Sequence, residues 1–221
     1  MAKLVWDETG KRFYETGVKN CALYLQTEGA YPKGVAWNGI TSVTQSPSGA
    51  EATPLYADDM KYLNLYSTEE FGATIEAYTY PDEFAECDGT AELGTGTGVF
   101  VGQQPRKAFG LAYKTTLGND TKNNKYGYKL HLIYGAMASP SQKAYATIND
   151  SPEAITFSWE ITTTPVSVTG FEPTAYIEID STKANPAKLA AFEAILFGSD
   201  SGNGPRLPLP DEVSQLMTAE G

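Results

Sequence analysis

Residues Tyr56–Gly89 read YADDMKYLNLYSTEEFGATIEAYTYPDEFAECDG, a stretch dense in strand signals that holds no side chains grouped for chemistry. Two runs within it, Lys61–Tyr66 and Ala73–Tyr80, alternate with period two. Leu63, Leu65, Ile75 and Ala77 fall on one side, and Tyr62, Asn64, Tyr66, Thr74, Glu76 and Tyr78 on the other. That pattern predicts two half-buried strands. Ser67–Gly72 between them reads as a turn, and Pro81–Cys87 as a short helical turn with proline at its first position and acids near its positive end.

Outward from this stretch, strand signals recur between turn residues. Tyr126, Tyr128, Leu130, Leu132 and Tyr134 alternate with Gly127, Lys129, His131 and Ile133; Ile155–Thr163 and Ala175–Asp180 repeat the pattern. Further strands are expected at Asn20–Gln26, Val35–Thr44, Gly98–Gly102 and Lys107–Thr116, with turns at Gly118–Asp120, Asn123–Asn124 and Asn149–Pro152. So many short strands predict a mainly β fold, an antiparallel sandwich or barrel. The exception is 186–197. Asn185 supplies an N-cap, Pro186 the first helical position and Gly198 the stop, and Leu189, Phe192, Ile195 and Leu196 share one face. One flanking helix covering an open side of the sandwich follows. Gln45–Pro54 is expected to be a flexible loop, 199–205 a linker, and 206–221 a tail whose Val213–Met217 run docks on a neighbour.

At 221 residues the chain reads as a single domain over 1–221. No apolar run approaches the ~20 residues that cross a bilayer, and the first residues lack the apolar stretch of a secretory signal, so no membrane partner and a cytoplasmic origin are expected. Cys21 and Cys87, without a CxxC pair, read as small buried hydrophobes. Sixteen basic against twenty-seven acidic side chains leave a net charge of −11, the wrong sign for gripping nucleic acid. Acidity keeps a concentrated protein soluble, and it also suits a wall past which DNA must slide.

Candidate chemistry is sparse. His131 is the only histidine and has no relay partners at any recognisable spacing, so it reads as structural. Leu93–Gly98 lacks both the Gly-Lys-Ser/Thr ending of a phosphate loop and its strand-to-helix setting, and reads as a flexible hairpin. Asp82, Glu83, Glu86 and Asp88 do not match calcium-loop spacing and read as a solvated face. Asn119 and Asn149 match glycosylation sequons, which carry no meaning in a cytoplasmic setting. No catalytic, cofactor-binding or metal-binding residues are assigned. What stands out is tyrosine, fourteen in number, on strands that hold few prolines or lysines to guard their edges. Such edges are protected by pairing with copies of themselves, and Tyr62, Tyr66, Tyr78, Tyr126 and Tyr128 are the candidate inter-subunit contacts.

The stretch Tyr56–Gly89, together with Arg106–Asp120, Tyr126–Ala136 and Ala144–Trp159, resembles the major tail protein, or tail tube protein, of long-tailed, non-contractile bacteriophages (siphoviruses) of Gram-positive hosts. The likeness covers roughly the central half of the chain. It implies a β-sandwich with a flanking helix whose copies form six-fold rings, stacked into a hollow tube around a tape measure protein. Tail terminator and distal tail proteins are the other partners it implies, and DNA passes through the lumen without specific binding. It implies no enzyme and a place in the virion tail after assembly in the host cytoplasm. Two other classes remain. A carbohydrate-binding module would display Tyr and Trp on one sheet, with Trp6, Trp37 and Trp159 available. An enzyme would need a cleft built around His131 or the Asp82–Asp88 acids.

Overall fold

The computed structural model describes residues 3–148, 150, 153–200, 202 and 204–218. The turn expected at Asn149–Pro152 and part of the expected linker and tail fall outside these. In chain order the elements are β1 (Phe13–Leu25), β2 (Gly34–Ala36), β3 (Ile40–Gln45), β4 (Ala52–Ala57), β5 (Met60–Tyr66), β6 (Gly72–Ala77), β7 (Ala91–Glu92) and β8 (Phe100–Val101). There follow β9 (Phe109–Asn119), β10 (Asn123–Ala138), β11 (Phe157–Thr163), β12 (Val166–Val168), β13 (Phe171–Thr174), β14 (Tyr176–Asp180), α1 (Pro186–Phe197) and α2 (Pro210–Thr218). A single 3₁₀ turn, Asp82–Glu86, precedes β7.

One large sheet runs in the order β2–β1–β9–β10–β11–β6–β3, with β14 also on β10, and every pairing in it is antiparallel. β10 changes partner partway along: Lys129–Ile133 pair with β14 and Ala136–Ala138 with β11. Gly135 makes the handover. Its φ is +57°, and a Cβ there would lie 2.2 Å from the Thr164 carbonyl oxygen, so no other residue fits. The sheet curls until β1 and β3 approach each other, although no backbone ladder joins them among the described residues. The outer edges of β3, of β14 and of the first half of β1 therefore have no strand partner among the described residues.

Two cores lie on opposite faces of this sheet. Inside the curl, Trp37, Phe84, Phe109 and Trp159 pack with Leu23, Ile75, Leu111 and Ile133. Trp159 meets Phe84 edge-on with centroids 5.1 Å apart, and Trp37 lies 4.4 Å from the same ring. Outside the curl, Leu189, Phe192 and Leu196 of α1 cover Tyr24, Leu130, Leu132 and Tyr134. β10 is thus buried on both sides, which is why its apolar residues occupy both faces.

The mainly antiparallel β fold with a flanking helix is as the sequence predicts, and α1 begins and ends where its signals place it. The Asn185 carboxamide oxygen accepts from the amides of Ala187 (3.0 Å) and Lys188 (3.3 Å), and Gly198 carries φ +82°. Four expectations need correction. First, the Val213–Met217 run expected to dock on a neighbour docks on its own chain. Residues 210–218 form α2, which buries Val213 against the outer core; Thr169 donates to Asp211, and Arg206 grips Glu212 at 2.5 and 2.8 Å. Second, Val35–Thr44 is broken at Trp37–Gly39, where Trp37 turns into the core and donates its indole N–H to the Thr79 carbonyl at 2.9 Å. Third, the 45–54 segment is not wholly loop, because β4 starts at Ala52 and Ser48 bridges Glu70. Fourth, β5 does not turn back onto β6. It pairs with β4, while β6 lies between β3 and β11.

Candidate functional site

The β4–β5 hairpin is a separate two-stranded sheet, set between the end of β3 and the start of β6. Its local sequence accounts for it. Leu55 opposes Leu63 and Ala52 opposes Tyr66, and the chain reverses through Asp58 and Asp59, whose φ values of +48° and +58° are those of a tight two-residue hairpin turn. Pro54 is tolerable because the ladder has only two strands. What the hairpin lacks is a core. Every residue of β4 is exposed, and in β5 only Asn64 is partly covered. Leu63 and Leu65 are 39 % and 54 % exposed rather than half-buried, and Tyr56, Met60, Tyr62 and Tyr66 are each near 70 %. A lone two-stranded hairpin is marginal in water, and this one shows apolar side chains on both of its faces, an exposed patch of the kind found at interaction sites.

A second exposed apolar area lies where β1, β9 and β10 extend beyond the curl. Phe13 packs on Tyr126 with centroids 5.0 Å apart, and the two rings, with Tyr14 and Leu117, line a groove of about 440 Å³. Lys129 and Lys183 border it, already paired with Glu15 (3.0 Å) and Asp180 (3.2 Å). Lys122 and Lys125, at the β9–β10 turn beside it, have no carboxylate partner among the described residues.

The five candidate tyrosines do not form one patch. Tyr62 and Tyr66 are on the hairpin, and Tyr78 is exposed at the opposite end of β6. Tyr126 belongs to the groove. Tyr128 is spent inside the chain: its hydroxyl donates to Glu193 of α1 at 2.6 Å, and the Lys114 ammonium sits 4.4 Å from its ring centre. Leu55, Tyr56 and Met60, which complete the hairpin surface, and Phe13, which completes the groove, are absent from the sequence-based set. The signal for the former was present, since Asp-Asp flanked by TPLYA and MKYLNLY is a two-residue turn between strands.

The remaining candidates resolve as structural. His131 is buried in the sheet, stacked on Tyr113 at 4.5 Å, with Nδ1 2.6 Å from the Tyr176 hydroxyl and Nε2 2.8 Å from Thr115 Oγ1. Both ring nitrogens are engaged. Burial holds its pKa below the ordinary 6.5, against the pull of Glu178 and Glu15 nearby. Burial pushes the thiols of Cys21 and Cys87 up to about 12, the state of inert core cysteines. In the β7–β8 hairpin the amide of Gly98 donates to Glu92 at 3.0 Å, so a donor that a phosphate loop would present is already occupied. Asp88 is not part of a solvated face. It is 8 % exposed, and its carboxylate receives the Trp159 indole N–H at 3.2 Å, the Lys143 ammonium, and Arg106 at 3.5 Å. Of the tryptophans only Trp6 is exposed; Trp37 and Trp159 are core, so no tryptophan platform lies on a sheet surface. No described helix is long and apolar enough to cross a membrane, and no group of three or more His, Cys, Asp or Glu among the described residues could hold a metal ion.

Charge is unevenly placed along the chain. Residues 45–104 contain eleven acids and only Lys61 among the cations, and so carry nearly the whole net charge of −11. The hairpin and its base contribute Glu51, Asp58, Asp59, Glu69 and Glu70, none of them in an ion pair among the described residues.

The chain matches no protein-family model and no curated protein. Among solved structures it is similar to a chain of the "Cryo-EM structure of the anti-feeding prophage (AFP) baseplate, 6-fold symmetrised", at 9 % identity and a TM-score of 0.37, over 80 % of this chain and 97 % of that one. A likeness of that size carries no argument about function.

Proposed function

We propose that the chain is a structural subunit of a phage tail-type particle, a tail tube protein whose copies form hexameric rings stacked into a hollow tube for DNA delivery. The observation that carries this reading is the β4–β5 hairpin, which is folded, apolar on both faces and without a core of its own. Such an element makes sense only where an assembly covers it. Strand edges of the main sheet that are unpaired among the described residues add sites at which identical neighbours extend the ladder. The six-fold ring, the tape measure, terminator and distal tail partners, and the place in the virion come from the sequence resemblance in the central half of the chain. A predominance of acids lets DNA pass without phosphate contacts. In this reading the protein performs no catalysis and takes no cofactor.

Negative-stain electron microscopy of the purified, concentrated chain, alone and with the tape measure protein, tests the reading. Rings or stacked tubes are the expected result. Monomers only, under both conditions, would remove it.

A further inference from the structure

We propose that the junction between successive copies is the β4–β5 hairpin of one seated on the Phe13–Tyr126 groove of the next, with Asp58 and Asp59 facing Lys122 and Lys125. The inference rests on the self-assembly reading and goes further by naming both halves of one contact. Charge complementarity selects the occupant. In a chain with eleven more acids than cations, Lys122 and Lys125 are cations without a carboxylate partner among the described residues, and they line a hollow that shares Tyr14 with the groove, whose own acids Glu15 and Asp180 are already paired with Lys129 and Lys183. The hairpin offers the matching inverse, carboxylates without a cation partner among the described residues, bordered by Leu55, Tyr56, Met60 and Tyr62.

The turn residues point the same way. Both Asp58 and Asp59 sit in the left-handed region, where Asn-Gly would relax the backbone and avoid setting two carboxylates side by side. Only Lys61 on the hairpin can offset them from within. A turn that carries strain and like-charge repulsion is explained by cations met from outside. Six strand residues reach about 20 Å. Because hairpin and groove are different patches, the contact is head-to-tail, the kind that can propagate from copy to copy through a stack.

The test is a cycle of exposed-site variants read by the critical concentration for assembly in sedimentation velocity at low salt. One variant is Asp58→Asn with Asp59→Gly, which improves the turn while removing its charge; another is Lys122→Gln with Lys125→Gln; the last combines all four. Each pair is expected to raise the critical concentration about ten-fold. The combined variant should be no worse than either pair, because both remove the same contact. A turn that matters only for folding would instead assemble as well as the unmodified chain, or better, when made Asn-Gly, and that result overturns the proposal. So does a combined effect equal to the product of the two. If the unmodified chain forms no assemblies at any concentration, the self-assembly reading falls together with this contact; unchanged assembly in the variants removes the contact alone.

Discussion

Trp159 and Tyr62 are both large aromatics on β-strands with alternating sequence, yet one is fully buried and the other 73 % exposed. Around Trp159 the chain finishes its own work: the indole N–H finds Asp88, Asp88 finds Lys143 and Arg106, and four neighbouring aromatics close the ring contacts. Around Tyr62 nothing is finished. The comparison separates residues that hold the subunit together from residues that the subunit leaves uncovered, and the two kinds fail differently when changed.

The largest loss of subunit stability is expected from Trp159→Ala, about 3–5 kcal/mol, because a filled site in the inner core is emptied. Urea unfolding followed by tyrosine fluorescence reads it. Asp88→Asn should cost less, about 1–3 kcal/mol, since it leaves Lys143 and Arg106 short of a partner but Lys143 retains some contact with water. Limited trypsinolysis should then cut at Lys143 faster than in the unmodified protein.

A smaller and pH-dependent effect comes from His131. Its folded pKa lies below the ordinary 6.5, so the unfolded chain takes up the proton first as pH falls. Stability should be complete above about pH 7 and decline as the pH drops below 6.5, by at most about 1.4 kcal/mol per pH unit for the single group. Glu15 acts in the same direction further down. Burial alone would raise its pKa, but the bonds from Thr115 and Lys129 outweigh burial and lower it below the ordinary 4.5, so its contribution disappears only in more acid solution. In His131→Gln the decline beginning near 6.5 should vanish while the more acid one stays, and the sole imidazole resonance allows the titration to be followed directly by NMR. The smallest effect on the subunit, and the largest on assembly, is expected at the hairpin. Tyr62→Ser with Tyr66→Ser should leave unfolding free energy within about 0.5 kcal/mol while abolishing rings in sedimentation velocity.

The same contrast explains what the sequence shows and what it hides. The strands around Tyr128–Tyr134 and Phe157–Thr163 and the helix after Asn185 are legible because alternation and capping are local properties. The helix at Pro210 had its signals as well, with proline followed by Asp211 and Glu212, but the proline-rich approach from Pro205 masked them. Alternation does not say which partner covers a face. Leu63 and Leu65 alternate as Ile75 and Ala77 do, and only the tertiary fold assigns the second pair to a core and the first to none. Asp88 reads as one more surface acid because the residues that bury it, Lys143 and Trp159, are 55 and 71 positions away. Tyr128 reads as an interface residue for the same reason, its partner Glu193 lying 65 positions on.

Hydrogen exchange of the hairpin amides, compared between dilute subunit and concentrated assembly, tests the central claim most directly. The account predicts that residues 52–66 exchange almost freely in the dilute protein while β9 and β10 are strongly protected, and that the hairpin becomes protected when particles form. Hairpin amides already as slow as those of β10 in the dilute subunit, or still fast in the particle, would contradict it.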